Sequence, residues 1–175
     1  MTLNTDLLKS RLQPPAGQRL YAIVDASVNQ LALDYLYEQD SLSFDCLLPG
    51  DLESDVFEVA PFLVSLKDQP EVLDWLLEGW GEHWLSFVHS PVPLDELQVH
   101  LRQFTKIRTD SGQAVFFRFF DPRVLVSVVP TLSADQAGQF FEHIDHFICE
   151  SADGSQVVRV SFDGAQVSCS NHPII

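Results

Sequence analysis

Ten consecutive residues, Phe116-Phe-Arg-Phe-Phe-Asp-Pro-Arg-Val-Leu125, restrict this chain more than any other segment. Four phenylalanines surround Arg118, and Asp121-Pro122-Arg123 then opens a second apolar run. The aromatic half is short and lacks Gly and Pro, which predicts a buried strand. The second half predicts a helix start. Asp121 can accept from the N–H groups left unpaired in a first turn, and Pro122 suits the first helical position, where no N–H is needed. An arginine between buried phenylalanines is costly unless its guanidinium meets a carboxylate or backbone carbonyls. Arg118, Asp121 and Arg123 are therefore expected to form an ionic junction where a strand hands over to a helix, either holding the fold or recognising a partner.

Around this block, strand-like and helix-like runs alternate. Leu20–Val24, Phe44–Leu48, Ala60–Leu66 and His83–Val88 are expected strands. Pro61 places the third at an edge or at a strand's first position. Helices are expected over 28–38, from Pro70 to a stop at Gly79 and Gly81, and from Leu94, where Leu94, Leu97, Leu101 and Phe104 share a face. Asp51–Glu58 reads as a loop or distorted edge, and residues 3–12 as a short helix in a mobile arm closed by Pro14-Pro15-Ala16-Gly17. Thr105–Arg108 and Val115–Phe120 form an expected hairpin turned at Asp110-Ser-Gly112. Ser133 with Gln136 spells a capping box for a helix to about Phe141. Runs 144–149, 157–162 and 166–170 are strand-like, separated by Asp153-Gly154 and Asp163-Gly164 turns. The expected fold is α/β (α+β): a mixed β-sheet flanked by helices, with a β-rich C-terminal end.

With 175 residues, one domain is the default. The 10 Lys+Arg face 25 Asp+Glu, a formal charge of −15. That argues against nucleic acid and anionic membranes, which attract basic proteins, and favours a partner with a basic surface. Arg102, Lys106, Arg108, Arg118 and Arg123 supply half of the positive charge. Three cysteines without C-x-x-C spacing and an N-terminus without a secretory pattern predict a reducing cytoplasm. No 18-residue apolar run suggests a membrane span.

Reactive motifs are scarce. His143 and His146 in Glu142-His-Ile-Asp-His146 would share a helix face, but zinc needs three or four ligands and no paired His/Cys cluster stands elsewhere, so they read as structural. Ser65 or Ser90 lacks a G-x-S-x-G context, and Cys46 lies in an apolar run. Neither phosphate-binding glycine motif occurs. Trp75, Trp80 and Trp84 read as core packing, with a protein-binding hot spot as the alternative. No catalytic residue, metal or cofactor is expected.

In order, Tyr21-Ala-Ile-Val-Asp25, Ala60-Pro-Phe-Leu-Val64, Trp75-Leu76 with Gly79-Trp80-Gly81, Leu97 with His100-Leu101-Arg102, the Phe116–Leu125 block and Phe140-Phe141 make a set. From about residue 20 to about residue 142 the chain resembles the bacterial adaptor family of type VI secretion effector chaperones. The resemblance implies a non-enzymatic, cytoplasmic protein that binds a cognate secreted toxin effector and helps load it onto the valine–glycine repeat (VgrG) spike. Family-like positions are Asp25, Pro61, Trp75, Trp80, His100, Arg102, Arg118, Asp121 and Arg123, of which Trp80, His100, Arg102, Arg118, Asp121 and Arg123 are the candidate protein-binding residues. The implied layout is an arm over 1–18, a chaperone-like α/β domain over 19–142 and a C-terminal β-rich extension over 143–175 packed on the same domain. Two other readings stay open: an immunity-type protein masking a basic toxin by charge, and a small metal-dependent hydrolase using Glu142, His143 and His146. Monomer and dimer are both compatible with the sequence.

Overall fold

The structure is a computed structural model that describes residues 3–109 and 111–174. In chain order the elements are helix α1 (Thr5–Leu12), strand β1 (Arg19–Asp25), α2 (Ala32–Glu38), β2 (Phe44–Cys46), α3 (Ser54–Glu58), β3 (Pro61–Ser65), α4 (Pro70–Glu78), β4 (Leu85–Ser90), α5 (Leu94–Arg102), β5 (Lys106–Arg108), β6 (Ala114–Phe116), α6 (Pro122–Ser127), a 3-10 turn (Val129–Thr131), α7 (Ala134–Phe140), β7 (His146–Glu150), β8 (Gln156–Phe162) and β9 (Val167–Pro173). Seven strands form one sheet in the order β2-β3-β1-β4-β7-β8-β9, and β5 and β6 form a separate hairpin. Helices flank the sheet and its C-terminal end is strand-rich, as expected of an α+β protein. The ladders of the main sheet are antiparallel throughout, where a mixed sheet was expected.

Side-chain alternation along β1 divides the core. Ala22 and Val24 face a cluster filled by α1, α2 and α4, with Trp84 and, from α3, Phe57. Tyr21 and Ile23 face the opposite cluster, filled by α5, α6, α7 and by Phe117, Phe119 and Phe120. Two residues apart on a strand means the same face, so a central strand apolar at every position requires helices on both sides. The result is a three-layer arrangement with β1 at its centre.

Several segments differ from the sequence reading. The arm is a docked helix: Leu8 and Leu12 are fully buried, Asn4 caps it by accepting from Leu7 N at 3.0 Å, and His89 Nε2 holds Leu12 O at 2.8 Å. The acidic stretch contains α3, which forms because Phe57 packs edge-on against Phe62 (5.3 Å between rings), not because its sequence favours a helix. Pro61 is the first residue of its strand, one of the two places expected for it, although that strand is interior; its carbonyl accepts from Leu47 N. The expected strand from Val115 to Phe120 stops at Phe116. Phe117 N still reaches Thr105 O, but the chain then turns, with Asp121 N bonding Arg118 O at 3.0 Å. Phe117, Phe119 and Phe120 are buried as irregular backbone, and Phe119 packs on Phe140 and Phe147. Full burial of one such ring is worth about 2–3 kcal/mol, enough to hold a segment with no ladder of its own. Asp110, in the expected hairpin turn, lies outside the described residues.

Gly79 ends α4 for a packing reason. A Cβ there would lie 2.2 Å from Trp84 Nε1, whose N–H donates to the Gly79 carbonyl at 3.1 Å.

Candidate functional site

The ionic junction exists, with different pairings from those the sequence suggests. Asp121 caps α6 by accepting from Arg123 N at 2.9 Å, and the Arg123 side chain returns to the same carboxylate through Nε (2.9 Å) and Nη2 (2.6 Å). Arg118 turns away from Asp121 and donates to Asp25, at the C-terminal end of β1 and 93 positions earlier. Its guanidinium also lies 5.8 Å from the Phe120 ring centre and 3.3 Å from Ser27 Oγ. Asp25 is almost fully buried and accepts from Ser27 N and Oγ as well. The arginine is thus not enclosed by phenylalanines: its side chain is 38% exposed and only the carboxylate end of the pair is sunk in the fold. The Arg118–Asp25 pair ties the aromatic turn to the central strand, and the Arg123–Asp121 pair closes the start of α6.

Burial alone would push the Asp121 carboxyl up, but the hydrogen bonds and charge of Arg123, with the charge of Arg118, outweigh it and hold the group below the usual carboxylate range. Asp121→Ala is expected to lower stability by about 1–2 kcal/mol, the cost of losing a helix cap. A urea denaturation midpoint equal to that of the parent chain would refute it.

The other candidate residues do not join this junction. Trp80 Nε1 donates to Gly154 O at 2.9 Å, holding the α4–β4 loop against the β7–β8 turn. His100 is buried at the end of α5, its Nε2 on Phe140 O at 2.9 Å, and burial lowers its proton affinity. Arg102 donates through Nε (3.0 Å) and Nη2 (2.8 Å) to Cys46 O, which Gln98 also meets at 3.2 Å, so it secures the end of β2. Of the six candidates, Arg123 has a largely exposed side chain (63%), and Arg118 and Arg102 have partly exposed ones. Trp75 and Trp84 pack edge-on in the core, and Trp75 stacks on Tyr35 at 3.8 Å.

Glu142, His143 and His146 do not come together as one set. Helix α7 ends at Phe140 and β7 begins at His146, so the two histidines lie on different elements. His146 bonds Asp145 through Nδ1 at 2.6 Å and sits against His89 across the β4–β7 ladder, ring centres 4.5 Å apart. Ser90 Oγ is committed to His143 O at 2.6 Å. Burial pushes the thiols of Cys46 and Cys149 up, away from nucleophilic character.

Sequence reasoning missed one buried carboxyl group. Glu150, on β7, is almost fully buried and accepts from Gly81 N and His83 N. Burial raises its proton affinity, and those two amides with His83 offset part of the rise. Nothing local in Cys149-Glu-Ser-Ala marks it, because its partners lie nearly seventy residues away.

A three-layer α+β scaffold whose polar groups are mostly spent on fixing its own loops is the class of protein these features define. The chain belongs to the family described as Domain of unknown function (DUF4123), matched over residues 20–139, which is known as a type VI secretion effector chaperone or adaptor domain. Comparisons with curated proteins and with solved structures returned no match. Among the described residues, no helix is long and apolar enough to cross a membrane.

Proposed function

We propose that this chain is a cytoplasmic adaptor that binds a cognate type VI toxin effector and helps load it onto the VgrG spike, without turning over a substrate. The family match over residues 20–139 carries this reading. The net charge of −15 supports it, since such a surface stays soluble between partners and speeds encounter with a basic one.

The surface best suited to the effector lies between α2 and α3. A cleft of about 580 Å³ is lined by Leu33, Asp34, Tyr37, Phe57, Glu58 and Val59. Tyr37 (63% exposed) and Val59 (43%) stand at the surface beside two carboxylates, a pattern that suits an apolar segment flanked by Lys or Arg. Arg123 and Arg118 are the candidates for a second contact.

The test is retention of partners. A tagged chain, expressed with a toxin effector and the VgrG spike, should hold the effector through washing. Retention of neither protein ends the adaptor reading. Protection of a cell by this chain alone would favour the immunity-type reading instead. Tyr37→Asp should reduce effector retention at least about tenfold, as loss of an interface anchor does, with an unchanged melting temperature. Unreduced retention would remove the α2–α3 cleft from the interface.

A further inference from the structure

We infer that His100, Glu142 and His143 form a binding site for a divalent transition-metal ion of the zinc class. The site is independent of the adaptor reading. It joins the last turn of α5 to the turn between α7 and β7. Each of the three side chains offers a ligand atom within 4.8 Å of the other two. The two imidazoles meet edge to face at 5.0 Å, and His143 Nδ1 lies 3.9 Å from Glu96 Oε1, which places a second carboxylate beside the cluster.

The chemistry of His100 singles out this cluster. A carbonyl oxygen only accepts, so the bond from His100 Nε2 to Phe140 O puts the ring proton on Nε2. The lone pair of the neutral ring is then on Nδ1. Histidine ligands are commonly fixed in this way, one nitrogen donating to a backbone carbonyl while the other faces the metal. Phe104, packed edge-on at 5.1 Å, helps to hold the ring. One ligand is therefore preset by the fold. The other two have room to adjust, since Glu142 is exposed and His143 half-buried.

Ligand atoms around a tetrahedral zinc ion stand about 3.3 Å apart, given bonds near 2.0–2.1 Å. Closing this cluster onto the fixed His100 therefore takes inward shifts of at most about 1.5 Å by the two mobile side chains. Two imidazoles with a carboxylate suit zinc and its neighbours over magnesium or calcium, which prefer oxygen ligands throughout. Glu96 can fill the fourth position. Asp95 and Glu96 also line the concave surface that holds the three ligands, giving it a negative rim that attracts cations.

A filled site would clamp α5 to the α7–β7 turn. The full chain, stripped with EDTA and dialysed against Zn²⁺, is expected to retain one equivalent and to melt at a higher temperature than in EDTA. Co²⁺ in the same site should give the visible absorption of tetrahedral coordination. His143→Ala and Glu142→Gln should each weaken Zn²⁺ binding by at least roughly 10–100-fold, the cost of losing even a partner that only orients a ligand, while melting as the parent does in EDTA. Mg²⁺ should not compete. The site is refuted if the parent chain retains no Zn²⁺, if both variants retain it as the parent does, or if Mg²⁺ displaces it at equal concentration.

Discussion

Asp25→Ala is expected to lower the stability of the folded chain by about 2–3 kcal/mol, read as a shift of the urea midpoint at constant slope. The carboxylate is 2% exposed and accepts from Arg118 and from Ser27 N and Oγ. Removing it leaves the guanidinium with no carboxylate of its own. Breaking a fully buried pair in this way costs roughly 3–5 kcal/mol, and the exposure of Arg118 brings the figure down. Asp25→Asn retains acceptor capacity toward Ser27 and should cost about half as much. Combined with Arg118→Ala it should show a coupling of at least about 1 kcal/mol, because the residues touch. Additive effects would mean that the pair contributes nothing jointly and that β1 and the aromatic turn are held by packing alone.

Acidification should destabilise the fold well before most carboxylates are protonated. Burial lowers His146 from its ordinary 6.5 to about 4; Asp145 opposes that change, whereas His89 and Arg159 add to it. His89, facing it across the β4–β7 ladder, is lowered mainly by burial too. Between pH 6.5 and 4 the unfolded chain therefore takes up protons that the folded chain refuses. Stability is full above pH 6.5 and falls as the pH drops through that window. For His146 alone the displacement corresponds to on the order of 3 kcal/mol. Glu150 runs in the opposite sense: burial raises its proton affinity in the fold, so its contribution is lost as the pH rises. The informative comparison is with His146→Gln, whose stability should fall less steeply over the same range. Parallel pH profiles for the two proteins would rule His146 out as the source.

Local chemistry was readable in the sequence and long-range pairing was not. The Asp121 cap and the Ser133–Gln136 capping box both form, because each needs partners only two or three residues away. The Asp25–Arg118 pair depends on how the sheet places β1 beside the aromatic turn, which no window of residues encodes. The run from Phe117 to Phe120 reads as a strand because buried irregular backbone and a buried strand share the same apolar composition. Helix α3 is not legible in the sequence because its five residues, two of them acidic, carry no periodicity and are held by Phe57. The spacing of His143 and His146 suggested one helical face, yet α7 stops before either residue. The histidine that joins Glu142 and His143 comes from α5, more than 40 positions earlier.

Strand order has a consequence for how the molecule comes apart. β1 is flanked on both sides by ladders, whereas β9 is an outer strand whose residues 168–171 are all exposed. Amide hydrogens should therefore exchange with solvent fastest along β9, more slowly along β8 and β7, and slowest in β1. Opening would proceed like a zipper drawn from the C-terminal margin, leaving the aromatic turn and its two ion pairs among the last contacts to yield.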